Sequence, residues 1–454
     1  MKTFAKLVIV GLGVFALLQL VRPTIPTRPA TAELAAAPQV QKILEKDCYS
    51  CHSDQRRLAW FDEVVPAYWL VRHDILAARA HLDFSTLGSK PPAAQRATLF
   101  EAVTMIQLGA MPLPQFVQLH PEARVTPEDL ATLKSYLAPW TQTQGAPAAA
   151  AAHTAPINLA PINLATVRPE LNGVLFDPMF ESWKLISMTD RGDNNTFRFV
   201  LGNDVAMQAA RSGNISPWPD GTRFAKIAWQ QVTGSDGLIH AGNFVQVELM
   251  AKDATKYKQT DGWGWGRWRG LDLKPYGSDS HFVDECTGCH QPVRGDDYVY
   301  TLPVTAAVDS RNEVVNNRAA RLPADLPWQP LGWSVITLYV NPAAHSMSAL
   351  FGNGAAMSAV QARGADAGAG AGPAYPPGAV LALVTWSQRD DPHWFGARIP
   401  DAPVEAEFVQ VAPAGKAATY RRFAGTNLTE DRPAPGFAAQ RTAFLLSLPP
   451  ARLP

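Results

Sequence analysis

All four cysteines of this 454-residue chain fall in two copies of one pattern, Cys48-Tyr49-Ser50-Cys51-His52 and Cys286-Thr287-Gly288-Cys289-His290. Such spacing sets two thiols one helical turn apart, with an imidazole on the next residue. A haem can be joined to such a pair through its two vinyl groups, the histidine then reaching the iron. A redox dithiol, a zinc ribbon or a disulfide would also use Cys-x-x-Cys. Two occurrences, each followed by histidine and with no cysteine left over, favour two covalently attached c-type haems. Cys48, Cys51, Cys286 and Cys289 are then the attachment points, and His52 and His290 the metal ligands.

The length points to about three domains. Lys plus Arg equals Asp plus Glu, 40 against 40, so no global field exists to attract nucleic acid. Thirteen tryptophans suit large apolar pockets as well as cores. Lys2 and Lys6 precede an apolar run from Leu7 to Val21, closed by Arg22. Residues 1–32 therefore read as a signal peptide, with Ala30-Thr31-Ala32 offered for cleavage, or as an uncleaved inner-membrane anchor. Either way the body is expected to be exported to the periplasm, where haem attachment of this kind takes place.

Three units and a linker follow. Residues 33–140 carry helix-like spacing over Glu33–Lys46, Tyr68–Leu82, Ala93–Leu108 and Pro127–Leu137. Thr126-Pro127-Glu128-Asp129 is a helix start, with a capping hydroxyl, proline at the first position and acids in the first turn. Residues 141–167 are an Ala/Pro-rich linker in which Ala-Pro-Ile-Asn-Leu occurs twice. Residues 168–305 alternate as strands over Thr222–Val232 and Asn243–Met250, and Trp218-Pro219-Asp220-Gly221 reads as a turn between them. The second Cys-x-x-Cys-His ends this unit.

Residues 324–450 read as a degenerate copy of that unit. Gly202-Asn203 matches Gly352-Asn353, Ala206-Met207 matches Ala356-Met357, and Pro219, Gly221 and Trp229 match Pro376, Gly378 and Trp386. Trp183 pairs with Trp333, and Phe244-Val245-Gln246-Val247 recurs as Phe408-Val409-Gln410-Val411. The stretch Gly364–Gly372 is an inserted loop. The copy has no cysteine, so it serves as an internal control. Polar residues confined to the haem-bearing copy are candidates for cofactor chemistry. Arg198 stands opposite Ser348 in this alignment, Lys226 opposite Leu383 and Glu248 opposite Ala412. By strand alternation Lys226 shares a face with Phe224 and Ala228, and Glu248 one with Phe244, Gln246 and Met250.

The unit 168–305 resembles cytochrome P-460. The resemblance lies in Val200–Ala206, Trp218–Thr222, Phe244–Val247, Met250–Asp253, Gly262-Trp263-Gly264 and Cys286–His290 followed by Asp296-Asp297-Tyr298-Val299. It implies a mostly antiparallel β fold and a five-coordinate haem with His290 as proximal ligand. It also implies a lysine bonded to the haem edge, carried here onto Lys226, with Lys252 as the rival position. Members oxidise hydroxylamine; a related branch, cytochrome c'-beta, binds nitric oxide instead. Relatives of this kind imply a homodimer.

The unit 33–140 resembles a small family of haem-binding domains of c-type cytochromes. The matching stretches are Cys48–Ser53, Trp69–Asp74, Gly109–Pro112 and Leu119–Ala123. Met111, in a loop after a helix, lies where class I cytochromes place a thioether ligand. His52 with Met111 would close the iron to substrate and suit it to electron transfer. His73 and His120 are rival ligands, read here as histidines with structural partners.

The expected fold class is thus multidomain α+β, an all-α cytochrome c-like domain followed by two mostly antiparallel β P-460-like domains. The expected enzyme takes a small nitrogen-containing substrate at the second haem, with Lys226, Arg198 and Glu248 as catalytic candidates, and passes electrons through the His52/Met111 haem to a soluble cytochrome. The alternative is a non-catalytic di-haem carrier or a nitric oxide-binding protein. His281, Asp284 and Glu285 precede the second motif and are candidates to cap its pocket.

Overall fold

Short-range signals set most elements, but the strand order is set by pairings far apart in sequence. The computed structural model describes residues 2–55, 57–141, 146–147, 164–279, 282–304, 317–362, 373–451 and 453. The Ala-Pro-Ile-Asn-Leu repeats, the Gly364–Gly372 insertion and His281 lie outside the described residues. Two compact units divide the chain, Met1–Pro139 and Trp140–Pro454.

The first unit is helical, as expected: α1 (Lys2–Leu18), α2 (Pro38–Asp47), α3 (Tyr49–His52), α4 (Ala67–His81), α5 (Phe84–Leu87), α6 (Pro92–Gln107), α7 (Pro114–Leu119) and α8 (Pro127–Leu137). The start of α8 has the anticipated cap. Thr126 Oγ1 accepts from the Asp129 amide at 3.1 Å, and Asp129 Oδ2 accepts from the Thr126 amide at 3.3 Å. Among the described residues no helix is long and apolar enough to cross a membrane. The large apolar side chains of α1, from Phe4 to Leu17, are exposed.

The segment after α1 is bound along α4. Gln19 exchanges two hydrogen bonds with the backbone of Val65, at 3.0 and 2.9 Å. Trp69 Nε1, Tyr68 Oη, Arg72 Nε and Arg79 Nη1 donate to the carbonyls of Val21, Pro23, Thr24 and Pro26 at 2.7, 2.6, 3.1 and 2.6 Å. Ile25 is buried with Val65, Tyr68 and Ile75. Residues 19–26 are therefore built into the helical fold.

The second unit is β-rich. Its first half runs β1 (Lys184–Arg191), β2 (Thr196–Gly202), α9 (Asp204–Ser212), β3 (Arg223–Thr233), β4 (Ile239–Lys252), β5 (Trp263–Arg269) and α10 (Phe282–His290). The second half repeats the order: β6 (Ser334–Asn341), β7 (Ser346–Gly352), α11 (Gly354–Ala362), β8 (Val380–Asp390), β9 (Ala397–Gln410), β10 (Thr419–Ala424), β11 (Thr429–Asp431) and α12 (Pro435–Ser447).

The shared residues have identical work in the two halves. Asn203 Oδ1 accepts from the amides of Ala206 and Arg223 at 3.0 and 3.1 Å, and its Nδ2 donates to Gly221 O at 2.9 Å. Asn353 does the same with Ala356, Val380 and Gly378 at 3.1, 3.1 and 3.0 Å. One asparagine thus caps a helix and ties it to the turn before the next strand. A Cβ on Gly202 would lie 2.8 Å from Ile186, and one on Gly352 2.8 Å from Ile336, so both positions exclude a side chain.

The two halves close on each other. Around the ring the order is β3-β2-β1-β9-β8-β7-β6-β4, and β4 pairs back to β3. The joins are reciprocal: His240 and Ile239 of β4 pair with Tyr339 and Val340 of β6, while Arg398 and Ala397 of β9 pair with Asp190 and Arg191 of β1. The two β segments read from sequence as consecutive units therefore share one antiparallel barrel of eight strands. Its interior is one core, holding Phe197, Phe199 and Trp229 beside Met347, Phe351, Trp386 and Phe408. The outer face of the first half is covered by α9 and α10, through Ile186, Val200, Met207, Phe224, Trp265 and Cys286.

A chain beginning at Glu33 loses the bonds that residues 19–26 make along α4. Its helical unit should unfold more easily than in a chain beginning at Gln19, by roughly 3–9 kcal/mol at 0.5–1.5 kcal/mol per hydrogen bond. Denaturant unfolding of the two chains measures the difference.

Candidate functional site

The haem motif of the second unit lies on α10, over the outer face of β2, β3, β4 and β5. The burial that makes this face an apolar shelf also isolates its few polar groups. One row across the sheet reads Val200, Lys226, Glu248, Arg267, and the neighbouring row Arg198, Ala228, Gln246, Arg269. Directly paired residues point to one side of a sheet, so Arg198, Lys226 and Glu248 face α10 together.

Lys226 Nζ is ion-paired with Glu248 Oε2, and Arg267 Nε lies 3.5 Å from Glu248 Oε1. Gln246 Nε2 donates to Glu248 Oε1. Arg198 Nε is buried with no hydrogen-bond partner among the described residues. Burial by itself would raise the Glu248 carboxyl, but Lys226, Arg267 and Arg198 overcome it and hold the group down at about 2. Burial lowers Lys226, with Glu248 opposing. Burial, then Arg191, pushes Arg198 down to about 10. Arg267, absent from the sequence reading, also reaches Glu285 on α10 at 3.3 Å, and Tyr276 Oη donates to Glu285 at 2.9 Å. Its signal was the alternation of Gly264–Arg269 opposite β4, legible once the register is known.

Two expectations are corrected here. Phe244 does not share the face of Glu248. A bulge at Val245 shifts the register, so Phe244 pairs with Trp229 and joins the barrel interior. Nor is Glu248 lost from the second half. Lys226 pairs with Glu248, and its counterpart Leu383 pairs with Glu407, so Glu407 and not Ala412 is the equivalent residue. The β8–β9 hairpin is longer than the β3–β4 hairpin, which shifts the alignment past the strand. Arg198 and Lys226 do stand where the second half has Ser348 and Leu383. Glu407 is fully buried and receives Arg441 of α12 through two hydrogen bonds of 2.8 and 2.5 Å. Leu445 and Leu448 pack with Leu381, Leu383 and Val409. In the haem-less half the shelf is thus filled by the chain's own last helix.

His290 closes α10. Its Nδ1 hydrogen-bonds the Tyr298 carbonyl at 2.6 Å. A carbonyl only accepts, so Nδ1 carries the proton and Nε2 keeps its lone pair. Its ring packs on Trp265, centroids 4.5 Å apart, and edge-on against Tyr300 at 5.0 Å. Burial pushes its pKa down to about 4, which keeps it neutral. Lys252, the rival for the haem-edge role, is committed elsewhere: its Nζ is 2.7 Å from Asp297 and lies over the Trp263 ring at 4.9 Å.

The helical unit repeats the arrangement. His52 Nδ1 bonds the Leu82 carbonyl at 3.0 Å, and burial lowers its pKa. Phe84 stacks on Tyr49 and meets His52 edge-on. Met111 is half-buried in the loop between α6 and α7. His120 has both nitrogens engaged, Nε2 with Asp62 at 3.1 Å and Nδ1 near Glu122 at 3.4 Å. His73 is on the surface beside Asp74.

The cysteines discriminate between the uses of Cys-x-x-Cys. A redox dithiol needs a depressed thiol. Burial instead pushes Cys48 up to about 12 and Cys51 and Cys286 up to about 11. All four are free thiols, and among the described residues no cluster of three His, Cys, Asp or Glu could hold a metal by itself. A Cys-x-x-Cys pair beside a histidine whose Nδ1 donates to a backbone carbonyl, backed by aromatic rings, fits a haem.

A protein with these two sites is a haem cytochrome. Residues 178–301 match the family model of Cytochrome P460, and residues 8–139 match that of a Haem-binding domain. The two matches follow one another along the chain as a fusion of these domains, and the strand order of the second recurs after it. No curated protein matches it.

The depressed carboxyl makes Glu248 a sensor of acid. Its contribution to stability is complete above the ordinary value of 4.5 and is lost as pH falls toward about 2. E248Q should be less stable at neutral pH, by on the order of 1–3 kcal/mol, because it leaves half-buried cations uncompensated. Its stability should also change less between those two pH values than that of the wild type. Denaturant unfolding across the range tests both.

Proposed function

We propose that the chain is an exported di-haem c-type cytochrome that oxidises hydroxylamine or a similar small nitrogen species at its P460-like site. The observation that carries this reading is the half-buried Lys226–Glu248–Arg267–Arg198 group facing α10. A passive haem pocket needs no such charge, and the half without haem has Leu383 and Ser348 at two of its positions. Cys286, Cys289 and His290 would hold one haem, and Cys48, Cys51, His52 and Met111 the other. Haem supplies a redox-active iron that takes electrons singly and, where an axial position is open, a small ligand.

The protein's part is electrostatic. At a pKa of about 2, Glu248 is too weak a base to take a proton from substrate. Its depression depends on three cations, of which Lys226 is the closest. The resemblance to cytochrome P-460 joins a lysine to the haem edge. If Lys226 Nζ is that amine, its ammonium charge is lost and Glu248 rises toward its ordinary range. Covalent attachment would then turn a structural carboxylate into a usable proton acceptor, with Arg198 and Arg267 left to orient a polar substrate. His52 and Met111 would close the other iron and pass electrons to a soluble cytochrome.

Export is supported by Lys2, Lys6 and the apolar run ahead of two haem-attachment motifs. The bonds of residues 19–26 to α4 favour retention of that segment in the mature protein over cleavage at Ala30-Thr31-Ala32.

Carbon monoxide should bind one ferrous haem per chain, and M111A should raise this to two; equal binding at both sites of the wild type sinks the division of labour. Anaerobic hydroxylamine titration should reduce the wild type. In K226L turnover should fall on the order of 100-fold, and the reduced Soret band should move to the ordinary c-type position. Tight nitric oxide binding without hydroxylamine turnover in the wild type would assign the protein to the binding branch instead.

A further inference from the structure

Besides the strand joins, the second half reaches the first through the hairpin between β8 and β9. The hairpin between β8 and β9 carries His393 and Trp394 over the far side of α10. His393 is buried, and its Nδ1 hydrogen-bonds the Tyr300 carbonyl at 2.7 Å. Since that carbonyl accepts, His393 is the donor. Trp394 lies edge-on to the Tyr300 ring, centroids 5.9 Å apart, with the Arg191 guanidinium over its other face at 4.1 Å. Arg191 is itself fixed by two hydrogen bonds to Asp193, at 2.6 and 2.5 Å. His393 Nε2 faces Asp296 at 3.8 Å, beyond hydrogen-bond reach.

Tyr300 in turn touches the haem motif directly. Its hydroxyl donates to the Cys289 carbonyl at 2.6 Å, and its ring meets His290 at 82°. Two residues earlier, Tyr298 supplies the carbonyl that accepts from His290 Nδ1. The backbone from Tyr298 to Tyr300 therefore holds the imidazole by an acceptor and by a ring, and His393 pins the end of that backbone.

We propose that His393, from the half without haem, is a positioning residue for the proximal histidine of the other half's haem, acting through the Tyr298–Tyr300 backbone. The duplicated half then has a role in tuning the cofactor as well as in closing the barrel. A hydrogen bond from the distant nitrogen of a metal-bound imidazole raises its donor strength. Loosening the Tyr298 carbonyl weakens the ligand, which lowers the iron–histidine stretching frequency and raises the reduction midpoint.

The inference rests on His290 binding haem iron, so haem per chain is measured first, on the full-length haem-loaded protein. H393F keeps the ring and removes the donor; H393N keeps a donor in the place of Nδ1. Resonance Raman of the five-coordinate ferrous haem and spectroelectrochemistry are the readouts. Expected is a lower stretch and a higher midpoint in H393F, with both restored in H393N and haem content equal in all three. If H393F does not accumulate with full haem, H393A compared with H393N makes the same test. Wild-type values in the donor-less variant, or equal shifts in the donor-less variant and H393N, would overturn the role. Absence of haem on Cys286 and Cys289 in the wild type would overturn it together with the functional reading, and the haem assay tells the two failures apart.

Discussion

Four backbone pairings hold the β unit in its form. Two join β4 to β6 and two join β9 to β1, and they close two open sheets into one ring. Without them each half would expose strand edges, which invite pairing with other chains. With them the inner faces of both halves share a single core, where Trp229 and Trp386 are fully buried at equivalent positions. Closure also decides where a cofactor can go. The interior is filled by side chains, so only the outer faces remain, and each is roofed by helices of its own half.

The two roofs show one problem solved twice. Each outer face carries a carboxylate at the same register, Glu248 or Glu407, and a buried carboxylate needs a cation. In the haem-bearing half the cations are Lys226 and Arg267, supplied by neighbouring strands. In the haem-less half Arg441 comes from α12, and Leu383 occupies the lysine position beneath Leu445. The carboxylate therefore belongs to the fold, while its partner differs with what covers the face. This is why the lysine and arginine, more than the glutamate, separate a pocket built for haem from one that is plugged.

Much of the site was legible from spacing. The two Cys-x-x-Cys-His motifs, the strand carrying Lys226 and the alternation that places it with Ala228 all followed from residue order. So did the Thr126 cap and the asparagines that recur at 203 and 353. Glu248 was placed in the right group for a partly wrong reason, because four matching residues around Phe244 and Phe408 concealed a change in hairpin length. Arg267 was legible only once the register was known, and the Tyr298 carbonyl had no sequence signal. A backbone acceptor has no sequence signal, and an arginine in an alternating strand looks like any solvated residue until its cross-strand partner is known.

Local chemistry, then, was determined by the chain itself: which residues can bind haem, where helices and strands start, and that one unit is a copy of another. Those properties depend on neighbours within a few residues, through caps, alternation and turn geometry. The tertiary structure alone decided that the copies close one barrel, that the last helix fills the second shelf, and that a hairpin of the haem-less half reaches Tyr300. Such contacts join residues far apart in the chain, 34 positions for Arg441 and Glu407 and 93 for His393 and Tyr300. Their pairing is chosen by the shared core and by strand edges that must be satisfied, and neither is written in any single stretch of sequence.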